Sequence, residues 1–256
     1  MKSFTAPFFF LAAMIIVSGC TGKGSAKKDS SAEIEAVTVP DTGYTGIKQY
    51  FSNNRLLKEV TFRNGVREGL TKTYYQGGQL YQTFWYENGL REDSSAWYYL
   101  EGQVFRTTPY KHDTIDGIQR QYYRTGKLRA KIEYSKGLRT PFLEEYNQNG
   151  KLIGDYPEIV TEIRDEYSTK GLYRIRLSMS DKTTKVRFYQ GEFTDGRFDT
   201  SLIKKLDVVN GISSLDLKKT ETAKPAYTGV IAEIVTQSGN RNLIYKKIDL
   251  PYNDLK

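Results

Sequence analysis

Catalysis needs side chains that attack, donate or accept protons in fixed combinations, and this chain holds few of them. Its 256 residues contain one histidine, His112, and one cysteine, Cys20. A nucleophile–base–acid set on His112 would have to draw on Ser94, Ser95 or Asp113, residue types that any β-rich chain carries nearby. His112 is therefore expected to be a solvated loop residue. A zinc site would have to be assembled mostly from carboxylates, a poor donor set for that metal. Acid pairs occur at Glu92-Asp93, Glu144-Glu145 and Asp165-Glu166. Neighbours on a strand point to opposite faces, so none of these pairs can flank a glycosidic bond by itself. Gly77-Gly78 reads as a turn and not as a phosphate loop. The sequence thus predicts no catalytic residue, no metal and no cofactor, and the chemistry left to it is recognition.

Recognition has ample material in 20 tyrosines, 12 phenylalanines and 2 tryptophans. They fall into two sets by parity. The even set, Tyr74, Tyr86, Tyr98, Tyr110, Tyr122, Tyr134 and Tyr146, recurs in every complete repeat and is expected to form the packed ladder of a sheet. The odd set, Tyr75, Tyr81, Trp85, Trp97, Tyr99 and Tyr123, is expected on the other face, flanked by Arg129 and Lys131. Aromatic rings with polar handles among basic groups suit a protein hot spot or a glycan. These eight residues are the candidate binding face. Cross-strand pairing on a twisted sheet, or cover from a neighbouring domain, would account for the same residues.

The elements that must position these rings are repeats of about 24 residues, marked by Tyr74-Tyr75, Tyr98-Tyr99, Tyr122-Tyr123 and Tyr146, with a worn copy at Tyr50-Phe51. Such a period signals stacked units that bury apolar surface only against their neighbours. Within a unit the alternation is that of a strand: Leu128, Ala130, Ile132 and Tyr134 are apolar, and the residues between them are charged. Gln76-Gly-Gly-Gln79, Arg124-Thr-Gly-Lys127 and Asn147-Gln-Asn-Gly150 supply turn residues inside units, and Glu87-Asn-Gly89 and Ser135-Lys-Gly137 supply them between units. Five hairpins in series are expected over residues 44–156.

Gly69, Tyr74, Gly78, Leu80, Tyr86 and Gly89, with their counterparts Gly117, Tyr122, Gly126, Leu128, Tyr134 and Gly137, resemble the MORN repeat variant found in proteins similar to the YwqK-type antitoxin family. The resemblance implies an extended antiparallel hairpin array. The third unit departs from it, with Asp93 and Asp113 in place of glycines and Pro109 inside a strand, so regular pairing is expected to falter there. Residues 157–256 lack the period. Strand candidates at 159–163, 172–179, 185–191, 203–209, 213–217, 229–236 and 242–250 predict a sandwich resembling immunoglobulin-like or fibronectin-type modules. The fold class expected is all-β.

The first residues carry an apolar run at 8–17, far short of the ~20 residues of a membrane-spanning helix. Val17-Ser-Gly-Cys20 then resembles a bacterial lipobox, which implies a signal peptide over residues 1–19 and a lipid anchor on Cys20. Residues 20–43 read as a flexible tether. Thr21 after the cysteine implies sorting to the outer membrane, and the lack of an acidic run favours its periplasmic face over the cell surface. The net charge of +8 is spread without a basic block, which argues against nucleic acid as a partner. The function expected is a lipid-anchored, non-enzymatic scaffold for a protein or glycan of the envelope, in an oligomeric state the sequence leaves open. The family resemblance implies an antitoxin- or immunity-like protein as the alternative, and the supply of catalytic groups disfavours an envelope hydrolase.

Overall fold

The computed structural model describes residues 43–222 and 226–256. The expected signal peptide, Cys20 and all but the end of the tether lie outside the described residues. The regular structure of the remainder is strand apart from one four-residue helix, as the alternation predicts.

The repeats form one 11-stranded antiparallel sheet. Its strands are β1 (Gly46–Ser52), β2 (Arg55–Arg63), β3 (Val66–Tyr74), β4 (Leu80–Glu87), β5 (Leu90–Tyr98), β6 (Val104–Lys111), β7 (Thr114–Ile115), β8 (Gly117–Tyr122), β9 (Leu128–Ser135), β10 (Leu138–Tyr146) and β11 (Leu152–Ile153). They pair in chain order, except that β7 folds back on β6 alone. Two turn chemistries alternate along the sheet. Asn64-Gly65, Asn88-Gly89 and Lys136-Gly137 have positive φ at both residues, which matches the right-handed twist of the strands they join. In the longer turns Gly78, Gly102, Gly126 and Gly150 take φ between 80° and 93°, and each donates its N–H to the carbonyl three residues back.

The third unit bends these rules without breaking its hairpin. His112 and Asp113 occupy the tight turn at φ 49° and 64°, and Asp93 takes φ 55°. β5 and β6 still pair from Asp93↔Tyr110 to Tyr98↔Val104, with Pro109 opposite Ser94. The disturbance appears one strand later, where β6 and β8 share only Arg106↔Gln121 and Thr107↔Arg120. Proline has no N–H to offer that ladder.

The chain continues as β12 (Ile159–Glu166), α1 (Tyr167–Lys170), β13 (Leu172–Met179), β14 (Val186–Gln190), β15 (Lys204–Lys205), β16 (Val208–Val209), β17 (Ile212–Lys218), β18 (Tyr227–Val235) and β19 (Arg241–Asp249). Two four-stranded sheets result, in the orders β12-β13-β17-β16 and β15-β14-β18-β19. Ile175, Leu177, Phe188, Val230 and Ala232 have no exposed surface and fill the space between the sheets. Residues 203–209, expected as one strand, form two short ones. Between them Leu206 turns inward and gives its N–H to the Phe188 carbonyl.

The β18–β19 turn docks on the last strands of the repeat sheet, and Glu145 is the fastener. Its carboxylate is 1 % exposed. Thr236 Oγ1 and Asn240 Nδ2 donate to it at 2.9 and 2.6 Å, and Tyr156 Oη donates at 3.0 Å. Around it Gln121 Nε2 donates to Asn240 Oδ1, Arg129 to the Ser238 carbonyl, and Arg139 Nη2 to the Arg241 carbonyl. A buried carboxylate is tolerated only when its lone pairs are filled this way. Replacing Glu145 by Ala strands three donors, at an expected cost of about 3 kcal/mol. Urea unfolding followed by tyrosine fluorescence checks this. The variant is expected to melt in two steps as the sheet and the two-sheet part uncouple, where the parent melts in one.

Candidate ligand-binding faces of the repeat sheet

Cross-strand partners share a face, so the pairing register sorts the side chains into two sides. One side carries a buried central row: Val60, Thr71, Ser95, Thr108, Gln119 and Ile132, none more than 6 % exposed. Phe84 completes it opposite Thr71. This is the sheltered face. The row is half polar. Gln119 Nε2 donates to Thr108 Oγ1, whereas the hydroxyls of Thr71 and Ser95 have no partner.

Beside that row runs an alternation of rings and guanidinium groups. Phe62 pairs with Arg67, and Tyr86 pairs with Arg91. Arg67 lies 4.9 Å over the Tyr86 ring and Arg91 4.5 Å over that of Tyr110. On the other flank Arg106 lies 4.2 Å over Trp97, whose ring meets Phe84 edge-on at 5.7 Å. The arginines act as lids: long stems and flat heads cover rings that no second layer covers. Tyr86, at 9 % exposed, is the best sheltered of them.

The opposite, open face is ionic and partly apolar. Glu59 bridges Lys72 and accepts from Tyr74 Oη at 2.6 Å, while Glu144 binds Lys131 Nζ at 2.9 Å and Tyr146 Oη at 2.7 Å. Leu70 and Trp85, cross-strand partners, are 37 % and 41 % exposed, and Tyr81 is 40 % exposed. The Trp85 indole N–H reaches only Glu87, at 3.3 Å.

The eight candidate residues are therefore not one stripe. Trp85, Tyr81 and Lys131 belong to the open face. Trp97 belongs to the sheltered face, against Phe84. Tyr75, Tyr99 and Tyr123 are structural ties: their hydroxyls donate to the carbonyls of Tyr98, Tyr122 and Tyr146 at 2.7, 2.9 and 2.7 Å, each 23 residues on. Arg129 is spent on the junction with Ser238. The even set divides as well, with Tyr86, Tyr110 and Tyr134 on the sheltered face and Tyr74 and Tyr146 bonded to open-face carboxylates. The cause is the odd spacing of cross-strand partners in the main ladders from β2 to β10, such as Thr73↔Gln82 and Tyr86↔Arg91, which reverses parity from one of these strands to the next. The arginine lids carried a signal in the sequence, since Arg67 and Arg91 stand one repeat period apart and Arg139 two periods further on, with Ile115 between.

His112 projects from its turn with its side chain 70 % exposed, and its Nε2 lies 3.4 Å from Glu92. Among the described residues, no cluster of three or more His, Cys, Asp or Glu could hold a metal ion. Nor is any described helix long and apolar enough to cross a membrane.

Two outcomes test this assignment. Tyr99→Phe removes one tie between hairpins and is expected to cost about 1 kcal/mol in thermal or urea melts. Glu59 is held below its ordinary value of 4.5, first by the Tyr74 hydroxyl and then by Gln49, with Lys72 adding attraction. Its depressed folded value means that it stabilises the fold above the unfolded value and loses that contribution as pH falls through the folded one. Glu59→Gln is expected to flatten the acid limb of a melting-temperature profile below about pH 4.5, while leaving neutral pH comparatively unchanged.

No curated protein matches the chain. A family model described as "MORN repeat variant" matches residues 67–84 and 115–136, which take in most of β3 and β4 in one hairpin and β8 and β9 in another. On two of its hairpins, then, the chain matches the MORN repeat variant that its turns and tyrosines resemble.

Proposed function

We propose that this protein is a non-enzymatic binding scaffold of the bacterial cell envelope, tethered to the outer membrane through a lipidated Cys20 and facing the periplasm. The observation that carries the scaffold reading is a long single sheet whose open face leaves Leu70, Trp85 and Tyr81 uncovered. Apolar groups exposed side by side on an otherwise ionic surface are the usual mark of a contact site. The repeat family matched by two hairpins also points to repeat-based binding and away from catalysis. The lipobox-like Val17-Ser-Gly-Cys20 after an apolar run supports the anchor.

On this reading residues 44–156 present the binding surface and residues 157–256 are an immunoglobulin-like spacer or second contact. Supporting the latter, and counting from β12, the first, second, sixth and fifth strands lie together in one sheet and the fourth, third, seventh and eighth in the other, an order compatible with that sandwich class.

Two experiments test the proposal. Cys20→Ala is expected to move the protein from the membrane to the soluble fraction on cell fractionation, and unchanged membrane association would remove the anchor. Trp85→Ala is expected to cut capture of cross-linked envelope partners by about tenfold or more, as loss of a hot-spot aromatic does, with little change in melting temperature. Undiminished capture, or unfolding, would take the open face out of consideration.

A further inference from the structure

The sheltered face separates charge in a way that stability does not require. Its cations in the first three hairpins include Lys48, Lys58, Arg67, Arg91 and Arg106, the three arginines gathered about Phe84, Tyr86, Trp97 and Tyr110. Arg91 is engaged by Asp113 at 2.8 Å. Among the described residues, Lys58, Arg67 and Arg106 form no ion pair with a carboxylate. Several carboxylates of the same strands, Glu59 and Glu92 among them, stand on the open face, where they bind Lys72 and His112. Burial and the nearby Arg67 charge together lower the Lys58 pKa. The rings hold the guanidinium groups of Arg67 and Arg106 in place, with Arg67 Nη1 also donating to Tyr86 Oη at 3.4 Å, and a planar fork of donors is matched to carboxylate or phosphate oxygens.

We propose that this face of the first three hairpins binds an acidic polysaccharide, laid obliquely over the strands so that its anionic groups meet Arg67 and Arg91 on one flank of the buried row and Arg106 on the other. Three observations select that occupant. First, Arg67 and Arg91 begin successive hairpins, two strands apart, or roughly 10 Å at the ordinary spacing of strands. A pyranose ring is about as long as one strand-to-strand step, so a chain with an anionic group on every sugar presents one to Arg67 and another, two sugars on, to Arg91. An extended acidic peptide repeats its same-face side chains at roughly 7 Å and drifts out of register. Second, the rings here are capped by guanidinium groups, and none of Phe84, Tyr86, Trp97 or Tyr110 is among the exposed large hydrophobic residues. An amphipathic helix or strand would find no apolar surface to dock on, whereas a hydrophilic glycan needs none. Third, the β18–β19 turn already occupies the far end of this face at Gln121, Arg139 and Glu145, which leaves the cationic end open.

The inference rests on the scaffold reading, but not on the anchor or on Trp85. The test uses the full-length protein in detergent at physiological ionic strength, with polygalacturonate as the probe, neutral dextran and polyglutamate as comparators, and affinity electrophoresis as the readout. Retardation by polygalacturonate is expected, with none by dextran and weaker retardation by polyglutamate. Arg67→Gln with Arg106→Gln is expected to weaken it at least tenfold. Lys72→Gln, an equal change of charge on the open face, is expected to leave it within twofold. Far-ultraviolet circular dichroism verifies that each variant is folded. If the double variant unfolds, Arg67→Lys with Arg106→Lys serves instead; it keeps the charge, loses the fork and is still expected to weaken binding severalfold. Equal weakening by Lys72→Gln, tighter retardation by polyglutamate, or no retardation by polygalacturonate would each overturn the proposal. If polygalacturonate fails while partner capture still depends on Trp85, the scaffold stands and only the sheltered-face assignment falls.

Discussion

The hydroxyl of Tyr99 reaches past its own turn to the backbone carbonyl of Tyr122, and Tyr75 and Tyr123 make the same reach to Tyr98 and Tyr146. Strand ladders alone would join each hairpin to the next along the strands. These bonds join the turn ends of successive units as well, so the repeats hold a common register at the side where the longer loops emerge. A lone hairpin is marginal in water and gains stability only when neighbours cover it. Fixing the spacing of the units is what lets the rings of one strand meet the arginines of another, and both faces of the sheet inherit their order from it.

Among the described residues no packed layer covers the first hairpins, and this explains the unusual composition of their sheltered side. Both contiguous apolar cores lie in the C-terminal sheets, around Phe188 and Ile231. In the repeats, a row of small or medium side chains takes the middle, and arginines fold over the flanking rings. Guanidinium groups suit that task because they are weakly hydrated and stack on π-faces without leaving water. The orphaned Thr71 and Ser95 hydroxyls show that this shelter is achieved at some expense in polar satisfaction.

Much of this was legible in the sequence. The alternation in residues 128–134 correctly placed Ala130 and Ile132 inside, and the Asn-Gly turns placed the tight connections. Sidedness across turns was not legible by parity, because the ladders from β2 to β10 reverse it from strand to strand; Trp85 and Trp97 share a parity and lie on opposite faces. Glu144-Glu145 shows what local rules can and cannot supply. That adjacent residues diverge was readable, and they do, one to Lys131 and the other into the junction. That Glu145 meets Thr236 and Asn240 was not, since those partners lie 91 and 95 residues away and no short-range pattern encodes them.

Pro109 carries a consequence of a different kind. With β6 and β8 sharing two residue pairs, the sheet is two blocks in series, β1–β7 on one side of a seam and β8–β11, fastened to the C-terminal sheets, on the other. Cooperative opening follows the lines where backbone hydrogen bonds are fewest. The seam is such a line, held where the ladder is short by side-chain bonds that cross it, from the Tyr99 hydroxyl to the Tyr122 carbonyl and from Gln119 Nε2 to Thr108 Oγ1. Amides of both blocks would then outlast those at the seam in exchange with solvent, and the protein would behave as a pair of jointed plates.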